Sequence, residues 1–516
     1  MLGLRARDLA VWAGYCAMLA AIVPWHEPWR DEAQAWLLAR DLSIPQLFGH
    51  NLRYEGHPGL WYLILWGPAH LHVGYAALGW IAAGIAAAGI YVLLRLAPFP
   101  FYLRAVLPFT FFLAYQFAVV ARSYVLFPLL CFLIAHVYRM ARPRPVAMAA
   151  LLGLLANVSV HGTLVAGGMA VAYGWRLWRG RRVSGVEPRR VELAAAIFAA
   201  AVVAVVATIY PPKDIYMDVA PTVSKAIHSI AVEQGAAAGL RSSNTAGGAD
   251  VVAGGSVAAN AAGAAGSVSV AGRAQPASKA GHLAARLADL PRVFCYSVAT
   301  SRVLCVVVYA LVAAFLFARG QLLLLTPLVV LALFLGFVYA REWHLGLMWV
   351  VLLMIVWAAW DADASVPGIT LQQVLTVVLA LVSVLQIPWT WRAMRYDRQE
   401  QYYPSRQAAA YLHTLPAGLR IAGFWDTTTI LPYFDHNIFF NQPRESFNWY
   451  STHNTVNTDA AATLATHPDL LVVWSHNPAI LAMAEADGYR EAHRFCGTPN
   501  LPNVVGEESC YVVLEP

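Results

Sequence analysis

Long apolar stretches recur from residue 9 to about residue 390, separated by short polar segments that carry most of the arginines. Stretches of this kind predict helices that cross a membrane. The pattern places them at about residues 9–25, 74–94, 105–120, 125–138, 146–160, 163–178, 191–209, 300–318, 321–339, 345–360 and 370–389. The expected fold class is therefore an all-α polytopic membrane bundle of about 11 transmembrane helices, occupying residues 1–390.

Three segments break that rhythm. Residues 26–73 are too polar to span and rich in tryptophan. Within them, Asp31 to Arg40 has helical spacing, with Trp36, Leu37 and Leu38 on an apolar side, as in a helix lying in the interface. Leu60 to Trp66 is apolar but too short to cross, and Pro58, Gly67 and Pro68 interrupt it; an interfacial or re-entrant helix is expected. Residues 234–281 are rich in Ala, Gly, Ser and Val, with no helical period, and are expected to be disordered because so little apolar surface offsets the ordering entropy. From residue 395 to 516, short apolar runs alternate with turn residues. Arg420–Phe424 and Leu470–Trp474 predict strands and Gln407–Leu415 a helix, giving a small α/β C-terminal extramembrane domain.

Composition supports the membrane reading: 59% of residues are hydrophobic and 12% charged, which excludes an ordinary soluble protein. The net charge of +6 is no sign of nucleic-acid binding. Arg5, Arg7, Arg95, Arg104, Arg139, Arg142, Arg144, Arg179, Arg181, Arg182, Arg189 and Arg190 fall in loops that alternate spans assign to one side, the positive-inside pattern. The start of the chain has the layout of a signal peptide, but no small-residue cleavage site precedes Pro24, so an uncleaved first span is expected. Cys16, Cys131 and Cys305 lie in apolar runs and Cys295 near a span entrance. Cys496 and Cys510 share the polar C-terminal region, where a disulfide is an open alternative that requires an oxidising compartment.

This topology brings the ionisable residues at the span ends to one outer side: Arg30, Asp31 and Glu32, then Glu55 and His57, Arg122 and Tyr124, His161, and Arg341 and His344. Each one taken singly reads as an interfacial anchor; their concentration on one face is the argument for a polar site. Asp31 and Glu32 also suit the start of a helix, where the dipole favours negative charge. As functional groups, Asp31 offers a base for a hydroxyl nucleophile, with Glu32 as its orienter or as a second ligand to a divalent cation. Arg122 and Arg341 suit a phosphate through two-pronged contacts. His57, His161 and His344 lack the spacing of a structural zinc site. The sequence holds no phosphate-cradling glycine loop, nucleophile elbow or dinucleotide fingerprint in a useful context.

The segments Trp29-Arg30-Asp31-Glu32-Ala33-Gln34-Ala35-Trp36, Arg53-Tyr54-Glu55-Gly56-His57-Pro58-Gly59-Leu60, Ala121-Arg122-Ser123-Tyr124 and Val158-Ser159-Val160-His161-Gly162 together resemble the GT-C superfamily of glycosyltransferases that use polyprenyl-phosphate sugars. The nearest likeness is to the protein O-mannosyltransferase, aminoarabinose transferase and rhizobial lipopolysaccharide transferase group. It covers residues 1–200 well and the later spans by layout only; the C-terminal domain and the insert depart from it. The resemblance implies an inverting transfer of one sugar from a polyprenyl-phosphate donor to a lipid, glycan or protein acceptor. Asp31 is the expected base and Glu32 its neighbour, while Arg122 or Arg341 neutralises the lipid phosphate. It also implies a plasma (inner) membrane location, with the site and C-terminal domain facing the periplasm or exterior. Two other readings stay open, a flippase or transporter of lipid-linked sugars and a polymerase or ligase of lipid-linked polysaccharide.

Overall fold

A computed structural model describes residues 4–180, 186–210, 291, 293–298, 301–338, 342–360, 370–400, 402–424, 426–442, 460–498, 500–501, 504–505 and 508–516. The expected disordered segment 234–281 and Arg341 lie outside them. The described chain is mainly helical, with a small sheet at its C-terminal end.

Among the described residues, four helices are long and apolar enough to cross a membrane: α1 (Ala6–Ile22, continued by a 3-10 turn to Trp25), α4 (Ala77–Leu96), α8 (Pro188–Ile209) and α12 (Leu371–Gln399). Between them in sequence lie α2 (Arg30–Asp41), α3 (Leu60–His70), α5 (Leu126–Arg139), α6 (Pro145–Ala156), α7 (Val160–Gly180), α9 (Arg302–Ala318), α10 (Thr326–Phe337) and α11 (Glu342–Ala358). α2 and α3 are helical, as expected for the two non-spanning segments of the loop. α11 is deeply enclosed, its residues Leu347 to Trp357 being fully buried. It packs against α5 and carries two of the largest fully buried side chains, Trp349 and Trp357.

Two expectations need correction. The stretch 105–120 is not one helix. It divides into a short helix (Phe101–Val106), a 3-10 turn (Leu107–Phe109) and one wide turn (Phe112–Gln116), then runs irregularly to Arg122. Pro108 supplies the cause, because it has no N–H for the helix ladder and its ring crowds the preceding turn. The last span, expected to stop near residue 389, continues as helix α12 to Gln399 despite Pro388 and carries Asp397 into the polar end of the bundle.

Ion pairs and hydrogen bonds sort the helix ends into two groups. At one end, Arg104 pairs with Asp8 at 3.1 Å, Arg139 Nε donates to the Trp360 carbonyl at 3.0 Å, and Arg319 Nη2 donates to Gln372 at 2.9 Å. At the other end lie α2, α3, the 117–125 segment, the starts of α7 and α11, and the last turn of α12. The C-terminal domain docks on this second end. Arg406 lies 3.3 Å from Glu27, the Tyr433 hydroxyl donates to Glu27 at 2.8 Å, and Arg40 donates to the Phe434 carbonyl at 2.5 Å.

That domain holds helix α13 (Ser405–Leu412) and a four-stranded sheet in the order β1-β2-β6-β3, built from β1 (Ile421–Phe424), β2 (Leu470–Trp474), β3 (Arg490–Gly497) and β6 (Ser509–Glu515). A two-residue pair, β4 (Asn500–Leu501) and β5 (Val504–Val505), lies apart. β1 and β2 are parallel, from Ile421 opposite Leu470 to Phe424 opposite Val473, and both other pairings are antiparallel. The period of two gives the sheet two dry faces. Ala422, Phe424, Leu471, Val473, Val512 and Leu514 form the domain's own core, while Ile421, Leu470, Val472, Tyr511 and Val513 join the core shared with the bundle. Cys496 and Cys510, opposite each other in the β3–β6 register, form a disulfide.

Candidate active site

Helix α2 is held at its start by a side chain from its own first turn. Glu32 Oε2 accepts the Trp29 N–H at 2.7 Å, closing an otherwise unpaired donor at the helix start. Its Oε1 accepts the Ala121 N–H at 2.6 Å, which pins the irregular 117–122 segment to the helix. Glu32 also faces His26, whose Nε2 lies 3.2 Å away, while His26 Nδ1 lies 2.9 Å from Asp397 Oδ2. The Tyr115 hydroxyl donates to Asp397 at 2.9 Å. Burial opposes a charge on His26, yet the two carboxylates outweigh it and raise the imidazole to about 10. The protonated ring then bonds both acids. This buried cluster ties the end of α1, the start of α2 and the end of α12 together.

Glu32 is thus a positioning residue. It is fully buried with both oxygens taken by protein donors, and adjacent helical side chains diverge by about 100°. The pair Asp31 and Glu32 does not fit a shared divalent cation. Among the described residues, Cys496, Glu508 and Cys510 group closely enough to hold a metal, but both thiols there are consumed by the disulfide.

Asp31, one residue earlier, turns the other way. Its Oδ2 lies 2.7 Å from Arg122 Nη2, and its side chain is 39% exposed against 10% for Arg122. The acid is open to approach and the cation stands behind it. Arg122 is fixed by aromatic faces, its guanidinium carbon 5.4 Å from the Tyr124 ring centre and 5.5 Å from that of Trp343. Trp343 in turn contacts Trp29, which stacks on Tyr402 at 4.8 Å.

Glu55 reaches the same place from the end of the loop. Gln34, one turn after Asp31 on α2, donates to Glu55 Oε1 at 2.9 Å. Burial pushes Glu55 up to about 7, and the nearby Asp31 charge adds to the rise against the opposing pull of Gln34 and Arg30. Gly56 ends this turn at φ +64, a left-handed conformation that favours glycine, and swings the chain so that His57 faces inward.

The hydrogen-bonding roles of His57 follow from its neighbours. Its Nδ1 lies 2.9 Å from the Glu55 carbonyl, which can only accept, so Nδ1 carries the proton. Nε2 of the neutral ring is then an acceptor for the Tyr124 hydroxyl at 3.3 Å. Burial, with the Arg122 charge second, pushes the His57 imidazole down and keeps it neutral. Tyr124 oxygen in turn lies 3.5 Å from His161 Nδ1, a loose contact, and the His161 and His344 rings are 4.4 Å apart. His161 sits in the first turn of α7 because Gly162 lets that turn approach α6; a Cβ there would stand 2.2 Å from the Leu155 carbonyl oxygen. The break between the two helices falls at Asn157–Ser159, just before the expected hinge at His161-Gly162.

The expected residues Asp31, Glu55, His57, Arg122, Tyr124, His161 and His344 therefore gather at one end of the bundle, with Arg30 near enough to influence Glu55. His26, Asp397, Gln34, Trp343 and Tyr402 complete the arrangement and were missed by sequence reasoning. Pro24-Trp25-His26-Glu27-Pro28, two acid–base residues between prolines at a span exit, was the available signal for His26. No protein-family model matches this chain, and no curated protein or solved structure matches it significantly.

Proposed function

We propose that this protein is a membrane glycosyltransferase that moves a sugar from a polyprenyl-phosphate donor to an acceptor hydroxyl. In this reading the shorter apolar helices also cross, giving about 11 spans. The site and the C-terminal domain face the outside of the plasma (inner) membrane, and the arginine-rich end faces the cytoplasm. The observation that carries the reading is the half-open Asp31 held 2.7 Å from the enclosed Arg122.

Such a pair suits displacement of a phosphate. The incoming donor phosphate takes over the Arg122 guanidinium, which releases Asp31 to act as base. Asp31 accepts the proton of the acceptor hydroxyl as that oxygen attacks the anomeric carbon. The bond between that carbon and the phosphate oxygen breaks, and its electron pair leaves with the polyprenyl phosphate, already a stable anion. The leaving group thus needs a cation more than a general acid, which separates this chemistry from glycoside hydrolysis with its paired carboxyls. His57, Tyr124 and His161 supply neutral donors and acceptors for sugar hydroxyls, and Glu55, raised to about 7 by its burial, adds one that changes character near neutral pH.

The test is transfer by the purified full-length protein in lipid nanodiscs, using radiolabelled polyprenyl-phosphate sugars and envelope acceptor fractions. Labelled acceptor and free polyprenyl phosphate in equal amounts support the proposal. Movement of intact lipid-linked sugar between leaflets without transfer replaces it with the transporter reading. Joining of lipid-linked oligosaccharides, with no use of a single-sugar donor, points to the polymerase or ligase.

A further inference from the structure

At the end of the bundle away from Asp31, an open cleft of about 1070 Å³ lies between the last turns of α7 and the turn that joins α9 to α10. Its position follows from α7 itself. His161 starts that helix and Arg176 lies fifteen residues later, about 22 Å along the axis at 1.5 Å per residue. The cleft is therefore separate from the candidate active site.

Its lining combines three arginines with a broad apolar wall. Arg176, Arg179 and Arg319 line it, and among the described residues no acidic side chain does. Arg176 is held in place by its Nη2 bond to the Met140 carbonyl at 2.9 Å and by the Tyr138 ring, 5.1 Å from its guanidinium carbon. Its Nη1 is buried and has no hydrogen-bond partner among the described residues. Trp175 and Trp178 stack at 4.8 Å beside it, and amphipathic rings of this kind are enriched at membrane interfaces. Val171, Phe317 and Leu323 are exposed apolar residues of the same cleft.

We propose that this cleft binds an anionic glycerophospholipid. The phosphate sits among Arg176, Arg179 and Arg319, and an acyl chain lies over Val171, Phe317 and Leu323. A basic pocket between helices with an apolar continuation fits a lipid headgroup better than a soluble phosphate compound, which gains nothing from that wall.

Native mass spectrometry of the full-length protein, titrated with phosphatidylglycerol, phosphatidylcholine or inorganic phosphate, tests the assignment. Each arginine near a membrane surface contributes about 1 kcal/mol to anionic-lipid binding, or roughly fivefold. R179Q is expected to weaken phosphatidylglycerol binding about fivefold and R176Q/R319Q about 25-fold, with phosphatidylcholine unaffected. R189Q/R190Q, at exposed arginines outside the cleft, should leave both unchanged. R179Q changes an exposed side chain and keeps the test valid if the double variant does not fold. Equal binding of the two lipids, or no loss in R179Q, overturns the proposal. Displacement of phosphatidylglycerol by millimolar inorganic phosphate also overturns it, as it assigns the site to a soluble phosphate.

Discussion

Asp31 and Arg122, 91 residues apart in the chain, meet at 2.7 Å with the carboxylate on the open side and the guanidinium on the enclosed side. The arrangement depends on planarity as well as charge, because Arg122 is packed against Tyr124 and Trp343. An ammonium group keeps the charge but loses both the stacking and the two-pronged contact proposed for the donor phosphate. Arg122→Lys is expected to raise the donor KM about tenfold or more, which steady-state kinetics over a range of donor concentrations would measure. An unchanged donor KM would remove Arg122 from the phosphate site.

Glu32 makes a different prediction from its neighbour. Glu32→Gln replaces a buried acceptor of two backbone N–H groups by an amide that can satisfy only part of the set, and removes one partner of protonated His26. The expected cost is about 1–3 kcal/mol of stability. A lower melting temperature with near-normal turnover at low temperature fits a positioning role. A stable protein with turnover reduced a hundredfold would assign Glu32 to the chemistry instead.

His26 gives a signed pH dependence. Its folded-state value is raised to about 10 from an ordinary 6.5, so the stabilisation is fully present below pH 6.5 and is lost as pH rises through 10. The melting temperature of the wild type should fall between pH 7 and pH 10. His26→Gln should lower it at pH 7 and flatten that slope, whereas parallel curves for the two proteins would show that His26 is not charged in the fold.

The disulfide between Cys496 and Cys510 closes a loop across β3 and β6. Loops of about 15 residues contribute about 3 kcal/mol when cross-linked. Reduction should therefore unfold the C-terminal domain at a lower temperature, with Cys496→Ser/Cys510→Ser behaving like the reduced wild type. Peptide mapping without reductant should recover the linked pair from protein made in an oxidising compartment.

Much of this site was legible where the chemistry sits in short, distinctive runs. Trp29-Arg30-Asp31-Glu32 and Glu55-Gly56-His57-Pro58 announce both their residues and their turn, and Arg122, Tyr124 and His161 follow once alternate spans place them on one side. The division of labour within Asp31-Glu32 was not legible. Glu32 is committed by the Ala121 N–H, a backbone donor in a segment that the hydrophobic pattern reads as the end of a continuous span. Asp397 was hidden for a related reason. It sits in a charged run past the expected end of the last helix, and its partner His26 lies 371 residues away. In the C-terminal domain, the strands Ile421–Phe424 and Leu470–Trp474 were visible because buried parallel strands are continuous apolar runs. β3, whose residues Arg490 to Arg494 are largely exposed at the sheet edge, has no such signature.

The central claim, that Asp31 is the base of a sugar transfer, is tested most directly by comparing single-turnover transfer from polyprenyl-phosphate sugar in the wild type and in Asp31→Asn. The asparagine keeps the size of the side chain and leaves the buried Glu32–His26–Asp397 cluster untouched. A loss of about a hundredfold or more, with donor binding and melting temperature near those of the wild type, is the predicted result. Transfer by Asp31→Asn at the wild-type rate would contradict it.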